Sequence, residues 1–488
     1  MKRKFKFFPA VVFLIVIVGL LLLQDFGIAQ TKIQKIDELM TTYFNYRQFN
    51  GSVLVAEKGE VIFKKGYGFA NMEWEIPNTP GTKFRLGSIT KQFTSMLLMQ
   101  LVQKGEIKLD SKLTDYLPDY RKDTGDQITI HHLLTHTAGI PSYTSLPNFF
   151  KDVSRNPYPV DEFVKKFCSS DLEFSPGSKY KYNNSGYFLL GAIIEKVTGK
   201  TYEQVLEENI LKPLDLKSTG YDRHAAVINN RAAGYEKTFD GFVNAAYLDM
   251  TLPYAAGALY STVGDLYLWD QALYTEKLLS QEYKIKMFSP FLKNYAYGWG
   301  VRKITLKGKA DSLKIISHGG GINGFNTLIV RVVNDKHLIV LLNNTGGTKL
   351  GKMSNAIINI LYDKPFEPPK ESIAETLFKT IIKKDIDSAV QQYQTLKKLH
   401  SAKYDFSERE LNNLGYQLIQ RKKINEAIEI FKLNVEAYPE AANAYDSLGE
   451  GYMIKGDKKF AIINYEKSLQ LNPNNSDAKK ILDGLKKK

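Results

Sequence analysis

The chain has 488 residues, 43% hydrophobic and 24% charged, with a formal charge of +14 and a single cysteine. That length holds two domains or one large core, and the composition is that of a soluble globular protein. One cysteine, Cys168, excludes an internal disulfide framework, so stability must come from the buried core.

The chain opens on "MKRKFKFF", a basic stretch, followed by the apolar run Phe7–Leu23 and the small residues Gly27 and Ala29. This reads as a signal peptide over 1–29, cleaved after Ala29, and implies an exported, periplasmic or extracellular protein. The alternative is an uncleaved N-terminal membrane anchor, although the run is 17 residues, short of the roughly 20 of a spanning helix. No cysteine follows the run to carry a lipid. Loss of 1–29 leaves +11 of the charge. Without a basic low-complexity run, that excess suits attraction to anionic envelope polymers and implies no nucleic-acid partner.

Residues 30–362 read as one α/β domain. "GSVLVAEKGEVIFKKGYG" has the pattern of a hairpin turning at Lys58-Gly59. "FRLGSITKQF" (84–93) opens a helix that continues through "TSMLLMQLVQKG". Ser88 and Lys91 lie one helical turn apart and point the same way. Buried lysines are rare unless paired, so Lys91 either bends to solvent or sits beside Ser88 to alter its hydroxyl. A free serine hydroxyl is a poor nucleophile, and a desolvated lysine with a lowered pKa can take its proton. The spacing S-x-x-K recurs at Ser178/Lys181 and Ser476/Lys479, so spacing alone is weak. Ser88 stands apart because it follows a glycine at a helix start, where the helix dipole favours negative charge.

"HHLLTH" (131–136) reads as a helix ending before "TAGIP". No carboxylate set accompanies the three histidines, which read as structural; no metal and no organic cofactor is expected. Tyr182-Asn183-Asn184 precedes the amphipathic pattern "SGYFLLGAIIEKVTGK", with Asn184 near the N-cap. Asn184 either caps that helix or faces a ligand, and a second Tyr-x-Asn at Tyr43–Asn45 weakens the triplet as a signal. "LKIISH", "FNTLIVRVV" and "KHLIVLLNN" read as strands, the last two joined through Asn334-Asp335. "ISHGGGINGF" closes one strand and opens the next. Its G-x-G-x-x-G is no dinucleotide fingerprint, because a strand follows rather than a helix. Its "HGGG" has no G-x-S-x-G elbow to serve. The expected architecture is an antiparallel sheet built from both ends of the domain, flanked by helices, with a helical subdomain inserted.

"DKPFEPPKES" (363–372) reads as a Pro-rich linker. Beyond it, over 373–488, Leu414-Gly415 recurs as Leu448-Gly449, Ala427 as Ala461, Phe431 as Tyr465 and Pro439 as Pro473, each 34 positions on. The pattern over about 408–475 resembles tetratricopeptide repeats. A looser pair over 371–400 carries Ala389 and Tyr393, and Ser476–Lys487 would cap the stack. Such an all-α array implies a protein partner.

Taken in order, Ser88-x-x-Lys91, Tyr182-x-Asn184 and His318-Gly-Gly320 resemble the three motifs of the serine β-lactamase-related family. The nearer resemblance is to its class C β-lactamase, D-alanyl-D-alanine carboxypeptidase and esterase branch, over about 35–362. "FRLGSITKQFT", "ITIHHLLTHTAGIPSY", "YNNSGYFLLGAIIEKVTG" and "AAGALYSTVGDL" agree with it. The resemblance implies Ser88 as the acylated nucleophile, Lys91 as its activating partner and Tyr182 as the second proton-transfer group. It implies that Asn184, His318, Gly319 and Gly320 bind substrate, and that backbone N–H groups of Ser88 and Gly321 form an oxyanion hole. Where class C enzymes have Lys-Thr-Gly this chain has His-Gly-Gly, which removes a fixed positive charge for a substrate carboxylate. The expected activity is therefore hydrolysis of a small ester, amide or D-amino-acid peptide. The alternatives are a dedicated β-lactamase or carboxypeptidase, and a non-catalytic ligand sensor on the same scaffold.

Overall fold

The computed structural model describes residues 31–306 and 312–487. The expected signal segment lies outside the described residues, among which no helix is long and apolar enough to cross a membrane. The chain forms two compact units: one runs to Lys237 and resumes over Val243–Pro368, the other joins Thr238–Phe242 to the chain from Pro369 onward.

The first unit is built on a six-stranded antiparallel sheet. A leading helix α1 (31–45) precedes β1 (Gly51–Glu57) and β2 (Glu60–Tyr67), whose turn places Lys58 and Gly59 at positive φ as a tight hairpin requires. Helices α2 (Thr90–Gln103), α3 (Asn184–Thr198) and α4 (Val263–Ala272) follow. Then come β3 (Gly300–Thr305), β4 (Ser312–Ile322), β5 (Phe325–Val332), β6 (His337–Asn343) and α5 (Leu350–Leu361). The strand order is β3-β4-β5-β6-β1-β2, so strands from both ends of the unit meet at the β6–β1 pair, as the sequence implied.

Both faces of this sheet are covered, and its central strands are apolar on both sides. On β1, Leu54 and Ala56 enter the core shared with α2, α3 and α4, while Val53 and Val55 enter the core shared with α1 and α5. β2, at the edge, leaves Glu60, Lys64 and Lys65 exposed, which discourages further strand pairing. β4 is longer than "LKIISH" suggested. It runs through the glycines to Ile322, and the reversal into β5 falls on Asn323-Gly324, with Gly324 at φ 75°. His318–Gly321 therefore belong to a strand, paired with Asn326–Ile329 of β5, and not to a junction.

The second unit is helical. Helices Glu408–Gln420, Ile424–Ala437, Ala442–Lys455 and Lys458–Leu471 pack in succession, followed by Ser476–Lys487. The 34-residue period has a physical basis here. A Cβ on Gly415 would lie 2.2 Å from the Phe431 ring and one on Gly449 3.2 Å from Tyr465, so each glycine admits its own repeat's aromatic ring. Ala389 and Tyr393 are buried in the same core on helix Ile386–Leu399.

Candidate active site

Ser88 lies in a short 3-10 turn, Gly87–Ile89, which leads into α2. The helix proper starts two residues later than the sequence pattern suggested. Gly87 has φ 55°, and a Cβ there would lie 2.9 Å from the Gly321 nitrogen. Glycine thus lets the turn carrying Ser88 close directly onto the β4 backbone. Every residue of α2 from Thr90 to Met99 is buried, so Lys91 has no path to solvent.

Lys91, 0% exposed, settles its own alternative: Nζ is 3.0 Å from Ser88 Oγ, 2.8 Å from Asn184 Oδ1 and 2.8 Å from the Ala256 carbonyl oxygen. None of these partners is a carboxylate, and burial holds the Lys91 pKa well below its ordinary value. The two amide oxygens can only accept. A neutral amine gives its two protons to them and turns its lone pair toward Ser88.

The cap before α3 is Asn183, whose side chain accepts from the Gly186 N–H at 3.0 Å; Asn184 is the first helical residue. This corrects the reading of Asn184 as a cap. Its side chain is free to receive Lys91 through Oδ1 and to donate from Nδ2 to Thr144 Oγ1 at 3.2 Å. Tyr182 is 37% exposed and its ring lies 5.0 Å from Lys91 Nζ. Desolvation raises the phenol's pKa against a smaller lowering effect of the nearby Ser88, so Tyr182 rests protonated.

Ser88, Lys91, Tyr182 and Asn184 are thus brought together, with the Gly321 backbone beside them. His318, 8% exposed, lies next to them with its ring 6.2 Å from that of Tyr182; Nε2 lies 2.9 Å from the Tyr295 hydroxyl and Nδ1 2.6 Å from the Gly319 carbonyl. Burial above all lowers its pKa to about 4, so it offers no charge to a substrate at neutral pH. Gly319 and Gly320 follow it on β4, paired with Leu328 and Thr327 of β5. A Cβ on Gly320 would lie 1.9 Å from the Leu86 carbonyl oxygen, which also accepts from Thr327 Oγ1 at 2.6 Å.

Because the folded pKa of His318 is depressed below the unfolded value of about 6.5, the stability that its neutral form carries is present above pH 6.5 and lost as pH falls toward 4. We expect His318→Gln to reduce the fall in stability between pH 6.5 and 4 by up to about 3 kcal/mol, measured by chemical denaturation. An unaltered pH slope would show that His318 titrates normally.

Two residues near the site were not among those read from the sequence as functional. His136, at φ 57° after the short helix Ile130–Leu134, accepts the Asn183 N–H at Nδ1 (3.1 Å) and packs its ring 4.3 Å from Tyr182. Tyr295 packs between His136 and His318. The other histidines of "HHLLTH" are structural: His131 Nδ1 pairs with the Tyr297 hydroxyl and His132 completes a capping box with Thr129. Lys181 pairs with Glu173 at the surface while Ser178 bonds back to Ser175, so that S-x-x-K is inert.

A cavity of about 350 Å3 opens on Ser88, Asn184 and Gly321. Its walls mix polar groups with apolar side chains such as Phe149, Phe150, Leu252 and Phe325, and among the described residues Glu236 is the one charged side chain on them.

The beta-lactamase family model matches residues 33–361. Penicillin-binding protein 4* of Bacillus subtilis is 30% identical over 388 residues, covering 74% of this chain and 82% of its own. The teichoic acid D-alanine hydrolase of Staphylococcus aureus is 30% identical over 342 residues, covering 69% and 79%. Among solved structures, a penicillin-binding protein from Bacillus halodurans superposes with a TM-score of 0.59 at 27% identity, covering 66% of this chain and 98% of that one.

Proposed function

The chain belongs to the beta-lactamase family and is a serine hydrolase; on that premise we propose that it works through an acyl-enzyme on Ser88, acting on small esters or D-amino-acid-type amides. The observation that carries this is Lys91, fully buried, bonded to Ser88, and without a carboxylate to hold it charged. Its neutral amine takes the Ser88 proton as Oγ attacks the substrate carbonyl. The N–H groups of Ser88 and Gly321 would receive the negative oxygen. When the carbonyl re-forms, the bond to the leaving group breaks, and the proton passes from Lys91 to that group. Tyr182, protonated at rest beside Ser88, relays protons rather than storing charge. Water repeats the sequence on the acyl-enzyme and frees the acid.

The same reading makes 30–362 the hydrolase domain, 363–372 a linker and 373–488 a tetratricopeptide-like module for protein contacts. It also makes the protein exported, with the N-terminal segment as its signal. The neutral His318 and the acidic cavity wall favour substrates without a carboxylate over β-lactams. A fluorophosphonate probe should add one adduct, located on the Ser88 peptide by mass spectrometry. A panel of D-alanyl esters and amides should be turned over faster than penicillins. Labelling at another residue, or β-lactams as the best substrates, would overturn the proposal.

A further inference from the structure

Glu236 stands on a short segment held on both sides: the Tyr235 N–H donates to the Asn344 carbonyl at 3.2 Å, and the Gly346 N–H to the Tyr235 carbonyl at 2.8 Å. The carboxylate's Oε1 accepts the Gly324 N–H at 2.9 Å, tying it to the β4–β5 reversal. Oε2 rests against Gly346, where a Cβ would come within 1.9 Å of it. Among the described residues Oε2 has no hydrogen-bond donor and Glu236 has no ion-pair partner.

A carboxylate that only braced the Gly324 turn could be a glutamine, which would accept the same bond. The negative charge therefore calls for its own account. It stands in the wall of the cavity that opens on Ser88, with no basic side chain on that wall among the described residues. Apolar neighbours such as Ile322, Phe325 and Leu248 lower the local dielectric, which strengthens any charge pairing made there.

We propose that Glu236 is the residue by which this cavity selects substrates bearing a cationic amine, and that it excludes substrates bearing a carboxylate there. The inference rests on the reading that Ser88 is acylated. The amine could belong to the acyl part, as in an aminoacyl ester, or to the alcohol part. In either place it would meet Oε2 while the carbonyl lies against Ser88 and Gly321.

Two substrate pairs separate these sources. A D-alanyl ester and the isobutyryl ester of the same alcohol differ by ammonium against methyl on the acyl side. Choline butyrate and 3,3-dimethylbutyl butyrate differ by cation against neutral isostere on the alcohol side. Each kcat/KM is divided by the hydroxide-catalysed rate, because an ammonium activates its own ester. In one pair the wild-type protein should prefer the cationic member. Glu236→Gln should lower that preference by about tenfold, and Glu236→Lys should reverse it. Gly346→Ala, which displaces Oε2 without changing charge, should move the ratio in the same direction. If both ratios are the same in wild type and Glu236→Gln while fluorophosphonate still labels Ser88, the selection by Glu236 is refuted and the acyl-enzyme stands. If the probe never labels Ser88 and none of the four esters is turned over, the acyl-enzyme reading fails and this inference falls with it.

Discussion

Replacing Ser88 by alanine should lower turnover by about 10⁶ while leaving the fold intact, because groups acting as one nucleophilic unit are lost together. Lys91→Ala and Tyr182→Phe should also be severe, and neither should add to the Ser88→Ala loss. The more telling variant is Lys91→Arg. A guanidinium keeps a positive charge near the same place but stays protonated, so it cannot take the serine proton. If the neutral amine is the base, Lys91→Arg will be as inactive as Lys91→Ala, measured by fluorophosphonate labelling rate and by ester hydrolysis. Arginine activity within a few per cent of wild type would mean that Lys91 serves by charge alone.

A large loss is also expected at Gly320, and almost none at its neighbour. A Cβ on Gly320 would lie 1.9 Å from the Leu86 carbonyl oxygen and 2.3 Å from Thr327 Oγ1, so Gly320→Ala must push the Ser88 turn away from β4. Both proposed oxyanion donors sit across that gap, and a displacement of about 1 Å at a reacting centre can cost about 10²-fold. At Gly321 the nearest atom to an added Cβ is Asn326 Nδ2 at 3.6 Å, an ordinary contact. We expect Gly320→Ala to lose about 10²-fold in kcat with little change in KM, and Gly321→Ala to stay within about threefold in kcat. Equal effects would place the oxyanion donors elsewhere.

The sheet could be read from the sequence because its strands are short apolar runs between turn residues, and Lys58-Gly59 marks its hairpin. Ser88 and Lys91 could be read because both lie on one short stretch, where helical geometry brings them together. The adjacent asparagines could not be told apart. Asn183 and Asn184 have the same capping chemistry, and only the entry angle of the chain decides which side chain turns back. Nor could the role of His318 be read. Both its nitrogens are taken, one by Tyr295 from 23 positions away, a pairing that no spacing rule encodes. His136, just past a short helix, and Glu236, on the short strand Tyr235–Lys237, reach the site from separate elements, and nothing in the sequence ties either to Ser88.

The order of the strands bears on how the protein comes into being. β1, the first strand made, lies between β2 and β6, and beside that pairing the Asn50 N–H meets the Asn343 side chain 293 positions away. The β1–β2 hairpin can form early, but its inner edge stays unpaired until the last strand has been synthesised. Contacts so distant in sequence carry a high loop-closure cost, and they slow folding. The nascent chain thus remains unable to complete its core for most of its synthesis. A chain held open in that way is in the state that threading through a membrane pore requires. It would also need shielding of the Val53–Ala56 edge from other chains in the interval.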